Sequence, residues 1–457
     1  MERAQARSRN RNVGTAPDRL AELLLRRGVD QGANPPATEV DFLELFPDKS
    51  GTERATHLLH PYPAKLIRNI PRFFFACGDI IPAKSTILDP FCGSGTVLLE
   101  AQLSGHKAVG ADANPLARLI AMAKMAPPKA EEAGTQLTRI VDRARKGPLD
   151  MPDVVNIDYW FSPHVKEALA RLRAALLETC GEPWSSPFMW ACFSSCVRRV
   201  SLADPRLSVP VRINPQRAER YGAKGDQVLQ KLERLKTIDV LQVFWQVSSA
   251  NIRRIKRTVF PADVPNPVLF EDARALGVAD ATIDVVMTSP PYVGAQKYVR
   301  ASSLCLGWLG LSPKGKLRPI ERLSIGREHL DAHEAADRID TGFAGVDARL
   351  EQIAMKNRLR ARIASIYITE MSSALNEAHR VLRTGGRMIL VAGPNMVAGL
   401  EFDTPGFLAT IATSLGMRID LHLTDTIASR GLMTKRNKTA GTIAQESVYV
   451  LTKTEND

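Results

Sequence analysis

The chain has 457 residues, enough for two or three domains with cores of ordinary size, so its stability needs no disulfide or metal staple. Hydrophobic residues make up 44% and charged residues 24%, and no apolar run approaches the roughly 20 residues that span a bilayer, which excludes a helical membrane protein. The formal charge of +12 points to a polyanionic partner, because neutralising phosphates with lysine and arginine releases counterions.

The basic, polar start MERAQARSRNRN lacks the apolar segment of a secretory signal, and its arginines leave an organellar transit peptide as the alternative. Residues 1–50 are expected to be a basic, flexible tail. From Ser85 the pattern changes. STILDP reads as a strand, FCGSG as a tight turn and TVLLEAQLSG as a helix closed at Gly105. KAVGAD reads as a strand ending on Asp112, followed by a helix over Pro115 to Lys124, which makes a strand-turn-helix-strand unit of the doubly wound kind. Residues 151–265 interrupt this rhythm with amphipathic helices, VKEALARLRAALLE and VLQKLERLKTIDVLQVFWQV, and with basic runs at Arg198 and at Arg254 to Arg257. They are expected to be an inserted helical module, for target recognition or, alternatively, for packing or dimerisation. Alternation resumes with PVLFEDARAL and TIDVVMTSPPY. A basic stretch at 293–357 reads as a loop, followed by a helix (ASIYITEMSSALNEAHRVL), a turn at Gly385 and Gly386, and the late strands RMILVAG, RIDLHLT and ESVYVLT.

Two segments carry chemistry. In DPFCGSG, Gly93 and Gly95 let the backbone turn tightly and approach a ligand, yet neither a P-loop Lys-Ser nor the third glycine of a dinucleotide fingerprint is present. Asp112 stands where an acid can take both hydroxyls of a ribose; a helix N-cap or solvated loop acid is the plainer alternative. In SPPY, Pro290 and Pro291 fix the backbone and lack N–H donors, so their carbonyls are free to accept from an amine, and Tyr292 can stack on a planar base. Ser289 adds a hydroxyl acceptor beside them. A plain strand-ending Pro-Pro turn is the alternative. Cys77, Cys92, Cys180, Cys192, Cys196 and Cys305 form no CxxC pair and no second pair joins Cys192 and Cys196, so reduced thiols and no metal are expected.

DPFCGSG followed by TSPPY resembles the paired motifs of the amino-group DNA methyltransferases, which make N4-methylcytosine and N6-methyladenine. HPYPAKL (60–66), EDARAL with Asp272, and RVLRTGGRMILV are similar to further elements of that family, in a compatible order. The resemblance implies a Rossmann-like seven-stranded sheet, mostly parallel with an antiparallel C-terminal strand, built from 51–150 and 266–457. It also implies S-adenosylmethionine as cofactor. On it, Asp89, Phe91, Gly93 and Gly95 would cradle the methionine part, Asp112 the ribose and Asp272 the adenine end, with Tyr62 and Lys65 near the methionine carboxylate. Ser289, Pro290, Pro291 and Tyr292 would hold a base flipped out of double-stranded DNA. Serine at the head of SPPY leans toward cytosine N4 in this family, with N6-adenine as the alternative, and a restriction-modification partner is implied. Attack at cytosine carbon 5 needs a thiolate, usually presented after proline, and no Pro-Cys pair occurs. RNA guanine-N2 methyltransferases share a similar glycine-rich run, and a catalytically silent nucleic-acid-binding protein is the non-enzyme alternative. A cytoplasmic location, nucleoid-associated in a bacterium, is expected.

Overall fold

The computed structural model describes residues 35–46, 55–63, 66–218, 222–294, 297–331, 334, 339–426 and 445–455. Its strands are β1 (Thr38–Val40), β2 (Thr86–Asp89), β3 (Lys107–Ala111), β4 (Val268–Phe270), β5 (Ile283–Thr288), β6 (Leu382–Ala392), β7 (Asn395–Val397), β8 (Leu400–Phe402), β9 (Met417–Thr426) and β10 (Gln445–Lys453). Eight form one sheet in the order β1-β9-β10-β6-β5-β2-β3-β4, and β7 pairs with β8 in a separate hairpin. Every neighbouring pair in the large sheet is parallel except those of β10, which runs against both β6 and β9.

Removing β1 leaves the seven strands expected from the sequence, parallel except for the C-terminal β10. The eighth strand is a correction to that count: Thr38–Val40 lies within the expected tail yet pairs with Leu423 to Asp425 of β9. Residues 1–34 of that tail lie outside the described residues.

The central strands are apolar on both faces, as strands covered by helices on each side must be. Alternation sorts their side chains: Leu88, Val286 and Met388 join one core, while Ile87, Val285 and Ile389 join the other with Phe73 and Phe74. The main helices are α1 (Asn69–Phe75), α2 (Thr96–Leu103), α3 (Pro115–Met125), α4 (Ala130–Ala144), α5 (Pro163–Cys180), α6 (Pro187–Val200), α7 (Ala223–Lys236), α8 (Val240–Arg257), α9 (Ala344–Lys356), α10 (Arg358–Val381) and α11 (Thr404–Ser414). The α3 start is fixed by Asn114, whose side chain accepts from the Leu116 N–H, with proline at the first helical position.

Three local readings change. The periodic run through 228–247 is two helices, because Asp239 takes an extended backbone and its carboxylate caps α8 by accepting from the Gln242 N–H at 3.1 Å. The stretch 293–357 is not simply a loop: its described part holds helical turns at Tyr298–Ala301, Ser303–Trp308 and Arg318–Leu323, and then α9. The Gly385-Gly386 turn falls inside β6, where the pairing with β5 jumps from Ile283↔Leu382 to Val285↔Arg387.

The inserted helices share their core with the sheet's own helices. Trp190 and Phe193 of α6, Phe161 and Trp308 are fully buried together, with the Trp308 ring edge-on to Phe161 at 5.6 Å and to Phe193 at 6.3 Å. Leu116, Ile120 and Leu137, from α3 and α4, belong to the same cluster. Among the described residues no helix is long and apolar enough to cross a membrane.

Candidate active site

The two motif-bearing turns leave adjacent strands at the same end of the sheet. β2 runs into the glycine turn and its parallel neighbour β5 runs into Ser289, with Ile87 opposite Val285 and Leu88 opposite Val286. The strand ends are tied together by the buried Thr288 hydroxyl, which donates to Asp89 Oδ1 at 2.6 Å, while the Phe91 N–H donates to the same oxygen at 3.1 Å. Burial pushes the Asp89 carboxyl up to about 7, against the pull of these two hydrogen bonds.

One cavity opens over these turns. Its walls include Phe91, Gly93 and Asp112 from the β2 and β3 ends, Asp272 after β4, and Ser289 and Pro291 after β5. Ligands of open parallel sheets lie in this crevice beyond the strand ends. Gly93 has φ of +50° and donates its N–H to Asp112 Oδ2 at 2.9 Å; the Asn114 N–H donates to Asp112 Oδ1 at 2.8 Å. The acid after β3 therefore shapes the glycine turn as well as facing the cavity. Desolvation raises its carboxyl to about 6, although both N–H bonds and the Arg118 charge favour the ionised form. Gly95, with φ of +77°, serves packing: a Cβ there would stand 3.0 Å from Ala121 Cβ of α3.

Tyr62 is buried in the cavity wall, its hydroxyl accepting from Asn114 Nδ2 at 3.1 Å, and Asn114 Nδ2 also reaches Ser302 Oγ at 3.0 Å. Lys65 lies outside the described residues. Asp272 is gripped by Arg274, which donates from Nε to Oδ1 and from Nη2 to Oδ2, both at 2.8 Å. Desolvation opposes its ionisation, but the hydrogen bonds and charge of Arg274 outweigh it and hold the carboxyl below its usual range. Pro290, between Ser289 and Pro291, is buried. Tyr292 is half-buried and turns elsewhere: its hydroxyl meets Glu446 Oε1 of β10 at 3.5 Å.

Sequence reasoning missed three residues here. Glu271 bounds the cavity beside Asp272 and accepts from Arg118 Nη2 at 2.6 Å, while Arg118 Nη1 donates to the Asp112 carbonyl at 2.5 Å. The signal was the acid pair Glu271-Asp272 at a strand end, read only for its second member. Asn114 directly preceded a proline at the start of a helical pattern, as helix caps do. Tyr298, a further aromatic wall, stood in the stretch read as a loop.

A family model, the RMKL-like methyltransferase domain, matches residues 62–146, which hold Tyr62, the glycine turn and Asp112. The chain carries a methyltransferase domain. Around this domain the likeness extends further. The chain is 23% identical over 377 residues to the Type II methyltransferase M.MvaI of Kocuria varians, covering 78% of this chain and 80% of that one. It is also 23% identical over 411 residues to the Type II methyltransferase M.BsoBI of Geobacillus stearothermophilus, covering 78% and 77%. A shorter match, 36% over 86 residues, joins it to the Type II methyltransferase M.MjaII of Methanocaldococcus jannaschii, with 18% of this chain and 15% of that one. The chain's eight-stranded sheet is the Rossmann-like methyltransferase arrangement with one added edge strand, and its reversed strand is β10.

Proposed function

We propose that this chain transfers a methyl group from S-adenosylmethionine to the exocyclic N4 of a cytosine flipped out of double-stranded DNA, as the modification partner of a restriction endonuclease. The observation that carries the reading is the shared cavity: Ser289 and Pro291, 196 and more residues beyond Gly93 in the chain, bound the same space as the glycine turn, Asp112 and Asp272. The similarity to Type II methyltransferases supports DNA as the substrate.

The cavity fits the proposed cofactor by its donors and acceptors. An open glycine turn at Gly93 leaves room for close approach, and Asp112 and Asp272 present carboxylates at separate positions for a ribose and an adenine amine. Bound there, the cofactor would supply an electrophilic methyl on sulfur. The chain's own part is orientation. The Ser289 hydroxyl and the Pro290 carbonyl would accept the two amine hydrogens, which turns the nitrogen lone pair toward the methyl and leaves the extra proton to depart to solvent after transfer. Tyr292 would stack on the base once its ring leaves Glu446. The basic last turn of α8, with Arg254, Lys256 and Arg257, supports the inserted lobe as a phosphate-contacting surface.

The test is incubation with labelled S-adenosylmethionine and separate DNA and RNA pools, followed by digestion to nucleosides. Labelled N4-methylcytosine from DNA is the expected product. N6-methyladenine would move the target to adenine, label in RNA alone would refute the DNA substrate, and no label in either would refute the enzyme reading.

A further inference from the structure

Beside the cavity just described lies a second one, and the two share Tyr298, Ser324 and Ile325 as walls. The segment 323–331 separates them, with Leu323 facing the first and Arg327 facing the second. It is held at three points. The Leu323 carbonyl accepts from Arg274 Nη2 at 3.2 Å. Gly326, with φ of +80°, presses on the proline-rich turn so closely that a Cβ would stand 2.7 Å from the Tyr292 carbonyl oxygen. Arg327 pairs through Nη1 with Glu370 Oε1 and through Nη2 with Glu334 Oε1, the latter at 2.5 Å.

Glu370 Oε1 also accepts from Arg274 Nη1, at 3.2 Å, and Arg274 grips Asp272. An unbroken series of alternating charges, Asp272–Arg274–Glu370–Arg327–Glu334, thus runs from a wall of the first cavity to a wall of the second. Its middle member sits on α10 with a side chain only 14% exposed, and Glu370 Oε2 finds no hydrogen-bond partner among the described residues. One oxygen shared by two guanidiniums in a poorly solvated place couples them: displacing either changes the pairing of the other, and water is not at hand to compensate.

We propose that this series makes cofactor and target binding cooperative, with Glu370 and Arg327 as positioning residues. Contact of a bound adenine with Asp272 fixes Arg274, Glu370 and Arg327 in turn, and so sets the wall of the second cavity, against which the DNA strand flanking the target base rests while the base itself enters the first. The inference rests on the DNA-methyltransferase reading above.

The test uses the full chain, S-adenosylhomocysteine, and a short duplex carrying the sequence that the wild-type protein methylates in bulk DNA. The duplex is expected to tighten S-adenosylhomocysteine binding by about fivefold or more in the wild type, whereas Glu370→Gln and Arg327→Met bind it alone within about twofold of wild type and lose most of that tightening. Reciprocally, S-adenosylhomocysteine no longer improves their affinity for the duplex. A role in stability alone would lower the melting temperature and leave the tightening intact. Retention of the wild-type ratio by either folded variant, or a wild-type ratio of one, overturns the proposal. Failure of the wild type to methylate any DNA overturns instead the substrate reading beneath it.

Discussion

Replacing Asp112 tests the cofactor site most directly. If its carboxylate accepts two ribose hydroxyls, each charge-assisted bond contributes about 1.5–3 kcal/mol. Even the lower figure, about 3 kcal/mol for the pair, predicts that Asp112→Ala weakens S-adenosylhomocysteine binding roughly 100-fold. The Gly93 and Asn114 N–H groups lose the same acceptor in the free and the bound protein, so that loss largely cancels in the binding difference and appears instead as lower stability. The ionised form is the better acceptor, and the free carboxyl titrates at about 6. Binding therefore releases a proton below that pH: affinity rises from pH 5 to 7 by about tenfold and then levels, whereas Asp112→Asn, which cannot ionise, gives a flat profile. Isothermal titration across this range, with melting curves as a check on folding, measures both effects. Binding by Asp112→Ala within threefold of wild type, or an unchanged pH profile in Asp112→Asn, refutes the ribose role.

Ser289→Ala removes an acceptor for the amine and leaves Asp112 and Asp272 in place, so kcat should fall by about 10- to 100-fold with little change in S-adenosylhomocysteine affinity, as read in single-turnover methylation. Thr288→Val deletes the buried hydroxyl that ties β5 to Asp89, at about 1–3 kcal/mol in urea unfolding. Asp89 has its carboxyl raised to about 7, so its contribution to folding is present below the normal carboxylate range and fades as pH rises through 7; the ionised acid then needs Thr288 most, and the Thr288→Val penalty should be larger at pH 8 than at pH 5. Trp308→Ala opens the core shared by α6, Phe161 and the 303–308 turn, and a loss of about 3–5 kcal/mol is expected from chemical denaturation.

The sheet and the two motif turns were legible because each couples a continuous apolar run to an abrupt polar or glycine-rich stop, a signal that depends on local sequence alone. Asp272 was read as an acid at a strand end while Glu271 beside it was passed over, because which of them pairs with Arg118 and which with Arg274 is decided by α3 and by the chain two residues on. The direction of Tyr292 was not legible, since the ring is drawn to Glu446, 154 residues away. Three residues, Thr38 to Val40, hold too little pattern to announce a strand; the edge of β9 supplies the partner. The apolar residues Leu304, Leu306 and Trp308 alternate at a spacing of two, which carries no helical signal, and burial by the inserted helices turns an apparent loop into core. The break before α8 was hidden because hydrophobic spacing continues through it while Asp239 diverts the backbone.

The fused core around Trp190 and Trp308 also restricts how such a protein could acquire a new target sequence. A lobe with its own interior can be exchanged whole between relatives, as one replaces a tool head. On the proposed reading of 151–265 as the target-contacting lobe, transplanting it would strip the packing from α3 and α4, so altered specificity would be reached by changing side chains on the exposed rim while the interior stays as it is.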